Sequence, residues 1–217
     1  MTLAALVFCV LGSVGNHQRW ETPNGPIHTW YPGSAVPSKA VLYVHGYYDS
    51  ADSAFEGHRL AAQFESSGVD ALFVVPEAPS GAGQKIAWPQ LELLLAEVAT
   101  HLGVPLPTSV LLLGHSGGNR TIKGWLSAPI VDRVVLLDAF YGDASPLQRW
   151  LEARVDARLV IVSQSTAPKA DAWLARLTPS MTLRISHRRA TCSHMQIVTA
   201  GRWIPDLVRE LDGPAVL

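Results

Sequence analysis

The chain has 217 residues, 48% hydrophobic and 16% charged, which suits one globular domain with a sizeable core. Its formal net charge is −1 and it carries no basic stripe, so nucleic acid and anionic membrane surfaces have no electrostatic footprint in it. Two cysteines, Cys9 and Cys192, make no disulfide framework, and no C-x-x-C, H-E-x-x-H or calcium-loop spacing occurs, so neither a metal nor a cofactor is implied.

In chain order, Leu3–Gly12 (LAALVFCVLG) is uncharged and runs into the small-x-small site Ser13-Val14-Gly15. It reads as a short signal peptide over residues 1–15, predicting export to the periplasm or outside the cell. No Lys or Arg precedes it, and a first buried strand or helix of a cytoplasmic protein is the alternative. The stretch is too short to cross a bilayer. Residues 16–217 then form one domain, with no repeat and no Ser/Gly-rich linker.

Arg19–Thr22 and Ile27–Tyr31 flank Pro23-Asn24-Gly25-Pro26, and Asn-Gly predicts a hairpin. Short apolar runs predict strands at Ala40–His45, Ala71–Val75, Val110–Leu113, Arg133–Leu137, Arg158–Val162 and Thr182–Ser186. Helical patterns fall between them: Asp52–Ser66, Trp88–Leu102 with Pro89 in its first turn, Asn119–Ser127, Ser145–Ala153 and Pro168–Leu177. Met195–Leu211 is a last helix, disturbed around Pro205. This alternation predicts an α/β fold: a three-layer α/β/α sandwich around a central, mostly parallel sheet. Chemistry in such sheets gathers at the carboxyl ends of the strands.

Four strand ends carry candidate groups. Gly114-His115-Ser116-Gly117-Gly118 fits G-x-S-x-G between a strand and a helix. The turn is sharp enough to need small neighbours, and it holds out the Ser116 hydroxyl as a nucleophile. The Gly117 amide, opening the helix, can donate to an oxyanion. A glycine-rich turn that merely ends a strand is the bland alternative, and a phosphate loop lacks its G-K-[ST] ending. At His45-Gly46-Tyr47-Tyr48, the Tyr47 amide is the second candidate oxyanion donor. A serine hydroxyl needs a neutral imidazole beside it. His194, in the loop ATCSHMQIV before the last helix, is preferred to His187, which adjoins Arg188 and Arg189 in what reads as a solvated basic loop. The orienting carboxylate is assigned to Asp138, directly after RVVLL, with Asp143 and then Asp171 as alternatives. Tyr48, Tyr141 and Trp88, with Tyr47, are candidate walls of a substrate pocket, although aromatics at such places also serve as packing.

With His45-Gly46, the G-H-S-G-G elbow, Asp138 and His194 in the order Ser…Asp…His, the chain resembles the serine α/β-hydrolases from about Ala40 to Leu211. In detail it is similar to small bacterial members with an H-S-G elbow and a following strand ending in Leu-Leu-Asp. The resemblance implies the α/β-hydrolase fold, an acyl-enzyme on Ser116, a backbone oxyanion hole at Tyr47 and Gly117, a small-molecule acyl substrate and no cofactor. It implies no large cap domain, since no long insertion separates Asp138 from His194. One departure stands out: most of the family carries its acid after the strand that here reads RLVIV, where no acid follows closely. Pro76–Trp88 is the candidate for a small mobile rim, or else an ordinary surface loop. The expected activity is cleavage of a carboxylic ester, thioester or amide. An acyltransferase or peptidase with the same residues is the nearest alternative, and a non-catalytic binding protein the more distant one.

Overall fold

The computed structural model describes residues 15–213, so the predicted signal peptide except Gly15, and with it Cys9, lies outside the described residues. The chain runs through β1 (Asn16–Trp20), β2 (Ile27–Tyr31), β3 (Lys39–Val44), α1 (Ala51–Gly57), α2 (Leu60–Ser67), β4 (Leu72–Pro76), α3 (Leu91–Leu102) and β5 (Ser109–His115). A single 3-10 turn, Ser116–Gly118, leads into α4 (Asn119–Trp125). Then follow β6 (Val131–Leu137), α5 (Ser145–Ala153), β7 (Arg158–Ser163), α6 (Ala167–Leu174), α7 (Pro179–Thr182), β8 (Ile185–Arg189), α8 (Gln196–Thr199) and α9 (Trp203–Asp212).

The strands form one eight-stranded sheet in the order β1-β2-β4-β3-β5-β6-β7-β8. Only the β1–β2 and β2–β4 pairings are antiparallel; β4 through β8 run parallel. The apolar runs of β3–β7 are explained by helices on both faces. Alternate side chains divide between two cores: Ala40, Leu42 and Val44 face one with Leu94, Trp125 and Trp150, whereas Val41 and Tyr43 face the other with Phe64, Ile204 and Leu207. A uniformly apolar strand therefore feeds both layers and holds its carboxyl end rigidly. Between β6 and β7 the chain carries only α5, with no cap domain.

Several predicted elements differ in detail. The helix expected over Asp52–Ser66 is two helices, because Arg59 takes a left-handed φ of 54°. Gln63 secures the break by donating to the carbonyl oxygens of His58 and Val198, both at 2.7 Å. The last helix divides at Gly201, with φ of 74°, and not at Pro205. Pro205 sits in the first turn of α9, where a missing N–H removes no intrahelical bond. Helix α3 begins at Leu91, so Trp88 and Pro89 precede it. The last strand is Ile185–Arg189, and part of the stretch expected to be strand forms α7. His187, Arg188 and Arg189 thus belong to an edge strand and not to a solvated loop. Arg188 pairs with Glu210, and Arg189 with Asp171.

Candidate active site

Strand β5 delivers the chain into a bend too tight for ordinary side chains. Ser116 has φ of 49°, the left-handed region that costs a non-glycine residue on the order of 1 kcal/mol or more. Its neighbours explain how the strain is held. A Cβ on Gly118 would lie 2.5 Å from the Val44 carbonyl oxygen, and one on Gly114 2.5 Å from Ile122 Cδ1. Across the gap, a Cβ on Gly46 would lie 2.8 Å from Ser116 Cβ. The ends of β3 and β5 are thus pressed together at the serine, and Asn119 Nδ2 ties the Ser116 carbonyl at 2.9 Å. The Ser116 hydroxyl has no hydrogen-bond partner among the described residues.

The loop after β3 is set by His45, which is fully buried. Its Nε2 accepts the Ala78 N–H at 3.0 Å, so its Nδ1 carries the proton and donates to the Gly46 carbonyl at 2.9 Å. The Tyr47 ring crosses Gly117, where a Cβ would lie 2.5 Å from the ring. The Tyr47 amide has no acceptor among the described residues, and Gly117 is one of the amides that a helix start leaves without an intrahelical partner. The Tyr48 amide donates to the Ser80 carbonyl at 2.9 Å. Arg120 also donates to the carbonyls of Ala82 and Gln84, so the Pro76–Trp88 loop is bonded to both the β3 loop and α4.

Asp138 is fully buried at the end of β6, with φ of 44°. His194 Nδ1 lies 2.7 Å from its Oδ2. The remaining acceptor capacity is filled by the loop after β7: the amides of Gln164, Ser165 and Thr166 donate at 2.9, 3.2 and 3.0 Å, and the hydroxyls of Ser165 and Thr166 both at 2.8 Å. Burial alone would raise its pKa, but His194 and these donors outweigh that and hold the carboxyl well below the usual carboxylate range. An ionised Asp138 accepts the Nδ1 proton of His194, leaving Nε2 with its lone pair free. The loop after RLVIV contributes donors to a carboxylate from the preceding strand.

The alternatives are engaged elsewhere. Asp143 accepts from the amide and hydroxyl of Ser145. Asp171 pairs with Arg189 and lies 3.3 Å from His187 Nδ1, while His187 Nε2 is 2.6 Å from Ser163 Oγ. Neither acid bonds His194.

Ser116 lies where two cavities meet, one of about 540 Å³ and one of about 550 Å³, and Tyr47 borders both. The first continues past Gly117 to Tyr141; the second holds His194 and is edged by Tyr48, whose side chain stands fully exposed. Trp88, expected as a pocket wall, is instead 4% exposed within the core, where its carbonyl accepts from Trp125 Nε1. Its large apolar surface is better buried under α4 than held at a rim.

Two histidines escaped the sequence reading. His115 packs 4.5 Å from the His194 ring, centroid to centroid, and neither of its buried nitrogens has a hydrogen-bond partner among the described residues. Burial pushes its pKa down to about 3, so it presents a neutral ring to His194. His58, brought to the cleft by the α1–α2 break, bonds Tyr43 Oη at 2.9 Å and lies 3.3 Å from Asp49. His115 was visible inside the elbow motif, whereas nothing in sequence separates His58 from a surface helix residue. These side chains form no group of three or more able to hold a metal among the described residues.

No protein-family model matches the sequence, and no curated protein is detectably similar to it in sequence. Solved structures do match. The fluorophosphonate-binding serine hydrolase FphF of Staphylococcus aureus superposes with a TM-score of 0.66 at 12% identity, over 92% of this chain and 99% of that one. An S-formylglutathione hydrolase from Agrobacterium tumefaciens does so with 0.62 at 13% identity, over 91% and 95%. The carboxylesterase EstE1, cloned from a metagenomic library, gives 0.62 at 14%, over 92% and 90%. In strand order, helix placement and likeness to these structures, the chain has the α/β-hydrolase fold.

Proposed function

We propose that the protein is a serine hydrolase that cleaves a carboxylic ester through an acyl-enzyme on Ser116. The observation that carries the reading is the bond between His194 and the buried Asp138, whose imidazole partner borders the same cavity as a serine held in left-handed conformation. Ser116 Oγ attacks the acyl carbon as His194 Nε2 takes its proton. Asp138 stabilises the imidazolium through the 2.7 Å bond at Nδ1. The developing oxyanion is held by the amides of Tyr47 and Gly117, each such donor being worth about 3–4 kcal/mol in the transition state. His194 returns the proton to the leaving oxygen, and a water, activated the same way, releases the acid. The neutral His115 ring suits this cycle, because a second cation 4.5 Å away would oppose protonation of His194.

A panel of p-nitrophenyl esters, thioesters and peptide amides tests the reading. Ester cleavage is expected from the wild-type protein, with a loss of at least a thousandfold in kcat for Ser116→Ala. Equal rates for the two proteins would overturn it.

A further inference from the structure

The cavity past Gly117 has a charge that ester cleavage alone does not call for. It is bordered by Arg120, Lys123 and Asp143, and it adjoins a groove of about 410 Å³ through the shared Lys123 and Pro146. Arg149 and Arg154 border that groove. Four cations thus face one carboxylate along a path leading from Ser116, in a chain of formal net charge −1. The cavity on the His194 side is the opposite: it holds Asp49 and is bordered by no lysine or arginine.

The partners of these cations leave their charge largely uncancelled. Arg120 donates to two neutral carbonyls, those of Ala82 and Gln84. Lys123, with three donors, has the Tyr141 carbonyl. Arg154 bonds the Pro129 carbonyl and reaches Asp156 only at 3.4 Å. Arg149 makes no hydrogen bond or ion pair among the described residues. Asp143, the one acid in the lining of the two cavities, already accepts from Ser145. Burial disfavours the Lys123 ammonium; nearby Asp143 favours it and Lys169 adds repulsion. An incoming anion would counter the repulsion from Lys169 and offset the burial by direct attraction.

The direction of the reaction assigns the two cavities. His194 must hand a proton to the leaving group, which therefore lies on its side of Ser116, and the acyl chain runs the other way, past Gly117. Lys123 follows Ser116 by seven positions, so at the helical rise it stands about 10 Å further along the axis. We propose that this groove is an anion-recognising acyl site, and that the preferred acyl group carries a carboxylate or similar anion at its far end. The assignment to the acyl half rests on the serine hydrolase reading; the anion site itself does not.

The test uses the full chain. Mono-p-nitrophenyl esters of dicarboxylic acids, from succinic to suberic, are compared by kcat/KM with p-nitrophenyl esters of neutral fatty acids of equal length. At low salt the longer dicarboxylates are expected to win by about tenfold or more, with the margin shrinking at high ionic strength. Lys123→Glu should reverse the ratio, and the exposed Arg149→Glu, which places no demand on folding, should lower it by about threefold. Separately, calorimetric titration of Ser116→Ala protein with suberate reads binding without turnover; binding is expected, and is to be lost when Lys123→Glu is added. Neutral esters cleaved as fast as charged ones, with no suberate binding, would overturn the anion site and leave the hydrolase standing. Suberate binding without cleavage of any ester would uphold the anion site and overturn the hydrolase reading.

Discussion

At Asp138 the chain leaves β6 in a left-handed conformation that Asp tolerates better than most residues, and every bond its carboxylate accepts comes from His194 or from the loop Gln164–Thr166. That full set of donors keeps the carboxylate ionised although it is buried. Asn at this position keeps the shape but presents one oxygen and one amide group, so either His194 or the loop meets a donor facing a donor. If the His194 tautomer is lost, Nε2 no longer offers a lone pair to Ser116. Asp138→Asn should therefore lower kcat by about three to four orders of magnitude with little change in KM, read by steady-state ester hydrolysis. A change confined to KM would place Asp138 in binding and not in the proton relay.

The elements carry the site because two strand ends touch. Gly118 abuts the carbonyl oxygens of Val44 and His45, where a Cβ would lie 2.5 and 2.7 Å away. Backbone cannot yield as a flexible side chain does. Gly118→Ala should destabilise the protein by about 1–3 kcal/mol and displace Ser116 enough to depress kcat, measured by urea unfolding and initial rates. Retained stability and rate would mean that the β3 loop is free to shift. The strands buried on both faces were legible in sequence, since their apolar runs admit few other readings, and the points where those runs stop offered Ser116, Asp138 and His194 as candidates. The bounds of the edge strand β8 were not: ISHRR has little apolar content because one side of it is open. The break at Arg59 depends on Gln63 reaching Val198, a contact between distant parts of the chain. Trp88 has the same local sequence whether it lines a pocket or supports α4, so only packing could decide.

For the whole molecule, folding stability is coupled to acid through the carboxylates held down in the native state. Asp138 is the most buried of these, and Arg19 draws the pKa of Asp52 down to about 2. A depressed group contributes its full stabilisation above the unfolded carboxyl value, about 3.9, and loses it as pH falls from there toward the folded value. Urea midpoints should therefore drop between pH 4 and pH 2, and drop less in Asp138→Asn than in the wild type; parallel curves for the two proteins would detach Asp138 from acid unfolding. The central claim, that Ser116 is the nucleophile, is tested most directly by reaction with a fluorophosphonate followed by intact and peptide mass spectrometry. The account predicts one adduct per chain, on Ser116, absent in Ser116→Ala and formed far more slowly in His194→Ala. An adduct on another residue, or unchanged labelling of Ser116→Ala, would contradict it.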